Sequence, residues 1–164
     1  MLKEGDKAPT FRCTADDGGA LSLADFKGHN LVLYFYPKAD TTGCTSEAIQ
    51  FRDALKDFEA ANAAIVGVSG DSVAAQAKFR DKYSLNFPLL ADTTFDVIEA
   101  YDARRMKSFF GKTALGIVRS SFWIGPDGKI RKIWPKVVVK GHAEDVLAAI
   151  QAGSAPAAAR SATP

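Results

Sequence analysis

Of the residues that could carry chemistry in this chain, Cys44 has the most telling neighbours. It follows a polar loop, Lys38-Ala39-Asp40-Thr41-Thr42-Gly43, and opens an apolar pattern in which Ala48, Phe51, Leu55 and Phe58 fall at helical spacings of three and four. Cys44 therefore sits at, or just inside, a helix N-terminus, with Thr41 and Thr42 as caps for the first turn. A thiol reacts as its thiolate, and an ordinary cysteine with a pKa near ~8.5 is only a few per cent ionised at neutral pH. The unpaired amides and positive dipole end of a helix start favour the anion. Cys13, the other cysteine, lies in a predicted N-terminal hairpin and lacks that setting.

Ionisation alone does not make a fast thiol, because a lower pKa also lowers intrinsic nucleophilicity. Attack on a peroxide needs the O–O bond held in line with sulfur and charge stabilised on the departing oxygen. Thr41, three residues before Cys44, can reach back from the same turn, and the amides of Gly43 and Cys44 are further donors. An arginine would complete such a site. Glu47 stands in the first turn, where its favourable placement toward the helix dipole is the simpler reading and a proton relay the second.

Other chemistries find less support. His29 and His142 stand far from either cysteine, with no ligand-type spacing, so no metal site is expected. Gly67-Val68-Ser69-Gly70 lacks the spacing and the lysine of a phosphate loop, and no cofactor is expected. Cys44-Thr45-Ser46-Glu47 lacks the second cysteine of a disulfide reductase. Phe109, Phe110 and Trp123 read as core or pocket wall.

The surrounding pattern must position these residues. Leu31–Tyr36 reads as a strand buried on both faces, ended by Pro37, and Ala64–Ser69 as a second. Cys44 to about Ala61 is the predicted helix between them. A helix from Asp71 or Ser72 to about Tyr83, a short strand Pro88–Ala91 and a short helix Thr94–Tyr101 follow. Val118–Ile124 and Lys129–Trp134 read as strands joined by the turn Gly125-Pro126-Asp127-Gly128, with a last helix over Glu144–Gln151. Asp17-Gly18-Gly19 turns a hairpin between Phe11–Thr14 and Ala20–Leu23. The order implies an α/β sandwich with a mixed sheet. One domain, 1–152, is expected, with 153–164 a disordered Ala-, Ser- and Pro-rich tail.

The 164 residues suffice for one full core. A net charge of +2, with basic residues read as interspersed among acidic ones, argues against a nucleic-acid partner, and Arg104-Arg105 reads as a solvated spot. No apolar run suggests a membrane span. The N-terminus lacks the apolar core of an export signal, so the cytoplasm is the expected compartment.

Pro37-x-x-x-Thr41-x-x-Cys44 resembles the peroxiredoxin motif, and the wider run Tyr34–Thr45 is similar to the bacterioferritin comigratory protein, or peroxiredoxin Q, branch. The resemblance extends from Gly5-Asp6-Lys7-Ala8-Pro9 to about Ile150. It implies a thioredoxin-like fold, a mixed central sheet flanked by helices with an N-terminal β-hairpin, and a thiol-dependent peroxidase acting on hydrogen peroxide and organic hydroperoxides. Cys44 would be oxidised to sulfenic acid, Thr41 would hydrogen-bond thiolate and peroxide, and Pro37 would shield the pocket. Arg119, in Gly116-Ile117-Val118-Arg119-Ser120-Ser121-Phe122, would be the family's later-strand arginine. The resolving cysteines of this branch would fall at Ile49 or around Arg80, and neither position is a cysteine. A one-cysteine mechanism follows, with an external thiol (thioredoxin, glutaredoxin or a low-molecular-weight thiol) as reductant, and with Cys13 as resolver the alternative. The branch contains monomers and homodimers. A redox sensor or holdase using the same cysteine without turnover is the competing function.

Overall fold

The computed structural model describes residues 1–153. An N-terminal hairpin pairs β1 (Arg12–Thr14) with β2 (Ala20–Ser22), and a short 3-10 turn leads into β3 (Asn30–Phe35). Then follow α1 (Thr42–Ala60), β4 (Ala63–Ser69), α2 (Val73–Lys82), β5 (Leu89–Ala91) and α3 (Asp96–Ala100). A second hairpin joins β6 (Arg104–Phe109) and β7 (Lys112–Ile117), and β8 (Ser120–Ile124), β9 (Ile130–Trp134) and α4 (His142–Gly153) complete the described chain.

The central sheet has the order β5-β4-β3-β8-β9, with β3 parallel to β4 and antiparallel to β8. β3 is buried throughout, as a strand covered on both faces must be. Its alternation separates two cores. Leu31, Leu33 and Phe35 point to one face, packed with Phe11, Ile98 and Tyr101. Val32, Tyr34 and Tyr36 point to the other, packed with Phe51 and Phe58 of α1, Phe79 of α2 and Val146 and Ile150 of α4.

The thioredoxin-like mixed sheet, its flanking helices and the N-terminal hairpin agree with the sequence reading. α1 starts two residues earlier than the apolar pattern indicates. The strand expected over Val118–Ile124 begins at Ser120, because the Val118 amide donates to the Ala103 carbonyl at 2.7 Å and stays with the base of the second hairpin. That hairpin is absent from the sequence reading. Its turn, Phe110-Gly111, has φ of 51° and 77°, the two-residue turn that suits hairpin twist. Phe110 is 91% exposed there, which corrects its expected place in the core or a pocket wall, whereas Trp123 is buried. The expected tail, 153–164, lies outside the described residues except for Gly153, the end of α4. Among the described residues no helix is long and apolar enough to cross a membrane.

Candidate active site

Tyr36 ends the buried run at the C-terminal edge of the sheet, where its hydroxyl donates to Gln76 Oε1 at 2.6 Å. Gln76 Nε2 in turn donates to Ser69 Oγ at 2.9 Å and to the Leu90 carbonyl at 2.8 Å. This network ties the ends of β3, β4 and β5 to α2, so the loop that follows starts from a fixed base. Open α/β sheets place their ligand crevices at this edge.

The loop is fastened at several points. Pro37 is half-buried after Tyr36. The Ala39 amide donates to Asp71 Oδ2 at 2.8 Å. Asp40, at φ 61°, accepts from Tyr83 Oη at 2.6 Å and Lys82 Nζ at 2.9 Å, and those donors hold its carboxyl below the usual range. Thr41 precedes the first residue of α1 in extended conformation, with no cap bond from its side chain. Its hydroxyl donates to the Lys38 carbonyl at 2.8 Å and closes the loop on itself. The expected side-chain cap is therefore absent, and the Thr41 hydroxyl proton points to Lys38 rather than to the sulfur.

Cys44 is the third residue of α1 and only 1% exposed. Its sulfur accepts from Arg119 Nη2 at 3.3 Å. The same guanidinium donates through Nη1 to Glu47 Oε1 at 2.7 Å. One planar fork thus spans residues three apart on one helix face. Arg119 occupies the break between β7 and β8, not a strand interior, and its carbonyl accepts from the Val137 amide at 2.9 Å. Gly43 lies beneath it: a Cβ there would stand 3.2 Å from Arg119 Nη2 and 4.0 Å from Val139 Cγ2. The glycine is needed for close approach, not for a special backbone angle.

Glu47 is the functional residue that the sequence leaves ambiguous. It is fully buried, and burial outweighs the adjacent guanidinium, pushing its carboxyl up to about 7. Its Oε2 and the buried Tyr34 hydroxyl have no hydrogen-bond partner among the described residues. Burial opposes the Arg119 cation, but Glu47 and the sulfur together outweigh that opposition and raise its pKa. His142, at the start of α4, is a further buried group on this face. Its Nε2 lies 2.8 Å from Ser121 Oγ, and burial lowers its pKa to about 4. Nothing in the spacing of the sequence signals that pairing.

Cys13 belongs to the opposite face. It packs against the core of Leu31, Leu33 and Phe35, while Cys44 packs with Val32, Tyr34 and Tyr36. Burial, reinforced by Asp92, pushes the Cys13 thiol up to about 11. Neither Ile49 nor Arg80 supplies a thiol, and Arg80 is held by Asp16 at 3.0 Å. Among the described residues no group of His, Cys, Asp and Glu is arranged to hold a metal ion.

Residues 4–133 match the AhpC/TSA family. The peroxiredoxin Bcp of Bacillus subtilis is 44% identical over 146 residues, which cover 89% of this chain and 93% of that protein. Among solved structures, the bacterioferritin comigratory protein of Xanthomonas campestris, examined for alkyl peroxide reduction, is 40% identical. The overlap has a TM-score of 0.84 and covers 88% of this chain and 92% of that one. Xylella fastidiosa PrxQ gives a TM-score of 0.89 at 35% identity, over 94% and 98% of the two chains.

Proposed function

The chain belongs to the AhpC/TSA family and is a thiol-dependent peroxidase, and from that premise we propose that it works through Cys44 alone, with Arg119 as the cation that serves both sulfur and oxidant. The observation that carries this reading is the 3.3 Å contact between Arg119 Nη2 and Cys44 Sγ in the first turn of α1.

The chemistry has two halves. The Cys44 thiolate attacks the terminal oxygen of R–O–O–H, the S–O bond forms as O–O breaks, and the products are Cys44–SOH and RO⁻. RO⁻ leaves as water or alcohol after taking one proton. Arg119 holds a full positive charge beside the developing oxyanion in a half-buried site, where a fixed donor is worth more than in open water. Glu47 anchors the second arm of the fork and keeps the guanidinium over the sulfur. Thr41 lies next to α1, with its hydroxyl oxygen still able to accept from a bound peroxide, and Pro37 screens the loop side.

Reduction then consumes two external thiols. The first attacks the Cys44 sulfenic sulfur, giving a mixed disulfide and water. The second displaces the Cys44 thiolate and leaves as the oxidised reductant. The opposed placement of the two cysteines on the sheet supports a one-cysteine cycle. Thioredoxin, glutaredoxin or a low-molecular-weight thiol would serve, and a cytoplasmic setting, where thiols are kept reduced, suits both free cysteines. Hydrogen peroxide and organic hydroperoxides are the substrates, and the protein acts as a monomer or homodimer.

Stopped-flow oxidation of wild type, Cys44→Ser and Cys13→Ser, with intact mass before and after, tests this. Wild type and Cys13→Ser should react alike and gain one oxygen at Cys44. Peroxide consumption that survives Cys44→Ser would refute the assignment.

A further inference from the structure

The charges of this protein are not evenly mixed, contrary to the expectation from composition. Residues 1–102 carry ten Lys and Arg against sixteen Asp and Glu, whereas residues 103–143 carry ten Lys and Arg against a single acid, Asp127. The same segment holds the exposed apolar surface. Apart from Met1, the exposed large hydrophobic residues among the described ones are Met106 (62%), Phe110 (91%), Leu115 (52%) and Val138 (78%).

These residues lie on two pieces that flank Arg119. Met106 and Leu115 are cross-strand partners in the β6–β7 hairpin, on its exposed face. Val138 lies in the loop between β9 and α4, with Lys136 and Lys140 exposed on either side. Arg105 donates to the Pro135 carbonyl and ties hairpin to loop. The loop also borders the site: the Val137 amide bonds the Arg119 carbonyl, and Val139 Cγ2 would stand 4.0 Å from a Cβ on Gly43, the residue before Cys44. On these two pieces exposed apolar side chains stand among an excess of basic residues, of which Arg104 is paired with Glu99 and Lys140 shares a groove with Asp53, Asp57 and Glu144, and such a mixture is the composition of a docking surface rather than of ordinary solvated protein.

We infer that the β6–β7 hairpin and the 135–141 loop form the docking surface for an acidic protein dithiol that reduces oxidised Cys44. This rests on the one-cysteine reading above. With Cys13 across the sheet, the electrons must come from outside, and a protein donor has to seat beside this loop. One partner thiol attacks the sulfenic sulfur and releases water; the second expels the Cys44 thiolate and closes the partner's disulfide. A second copy fits poorly, because a two-fold contact would set this basic face against itself. A lipid surface fits the charge but cannot supply electrons.

The test compares a small reductant, dithiothreitol, with thioredoxin and glutaredoxin of net negative charge. The variants are Met106→Glu with Leu115→Glu, and separately Lys136→Glu with Lys140→Glu. Both pairs should lower kcat/KM for the protein reductant by about tenfold or more, with a steeper loss as salt rises in wild type. Peroxide oxidation of Cys44 and turnover with dithiothreitol should stay within about twofold, since no altered side chain enters the chemistry. The loop pair keeps the test alive if the hairpin pair fails to fold. Equal loss with both reductants, no loss with either, or a wild type served by dithiothreitol but by neither protein overturns the inference. So does a dimer split by the hairpin variants, or binding to phosphatidylglycerol vesicles lost in variants whose protein-reductant turnover is intact. A wild type that peroxide does not oxidise would instead sink the peroxidase reading.

Discussion

The two faces of the central sheet hold one cysteine each, and they treat it in opposite ways. On the hairpin face Cys13 packs among apolar groups with Asp92 near it, and its thiol is pushed up to about 11. On the helical face Cys44 is the more deeply buried of the two, yet its sulfur meets a guanidinium at 3.3 Å. Burial alone therefore does not separate an inert thiol from a reactive one. What differs is the company: an acid on one side, a half-buried cation locked by a buried carboxylate on the other.

The sharpest way to break this contrast is to remove the cation. Arg119→Met should lower the second-order rate of Cys44 oxidation by about 100-fold or more, read by stopped flow. It should also lower the melting temperature, because Glu47 would be left as a buried, unpaired acid. If the rate falls less than threefold, the contrast between the faces has another source.

A next step sharpens the Cys13 side. In Cys44→Ser, alkylation of Cys13 should climb about tenfold per pH unit and show no plateau below pH 10, given a thiol near 11. A curve that levels off by about pH 9.5 would show Cys13 to be an ordinary thiol.

Glu47 gives a smaller effect with a definite sign. Its carboxyl is raised to about 7, so it is charged and able to grip Arg119 above that pH and neutral below it. The oxidation rate should carry an inflection near pH 7 that Glu47→Gln removes, with a several-fold lower rate at pH 8. The linkage runs the other way for stability. A folded value above the ordinary 4.5 means that the contribution of Glu47 is full below pH 4.5 and lost as pH rises through 7. The Gln variant should therefore gain on wild type between pH 5 and pH 8 in chemical denaturation.

The smallest effect concerns His142. Its folded value, lowered to about 4 from 6.5, makes its contribution full above pH 6.5 and lost as pH falls toward 4. His142→Gln should flatten that acid limb of the melting curve. An unchanged limb would mean that other groups set it.

Much of this was legible in the sequence because a local period or neighbour encoded it. The double-sided burial of β3 shows as an unbroken apolar run, and the position of Cys44 shows as a loop meeting a helical period. The β6–β7 hairpin escaped because the half-buried positions of Arg104-Arg105-Met106-Lys107-Ser108 are Arg105 and Lys107, so its alternation writes no apolar period. Arg119 was reached through resemblance, and its placement depends on the Val118–Ala103 bond, a pairing 15 residues apart that no local pattern encodes. The partners of Glu47 and His142 are likewise set by contacts across the fold, from 72 and 21 residues away. The Thr41 hydroxyl went elsewhere because a loop carbonyl within its own turn was the nearer acceptor.

Gly43 also bears on the spacing of Arg119 and Cys44. Since a Cβ at this position would stand 3.2 Å from Arg119 Nη2, the bulk of this one residue bears on how closely the cation can approach the helix. A single methyl would press on the guanidinium, which would have to yield by a few tenths of an ångström to keep its contact with the sulfur.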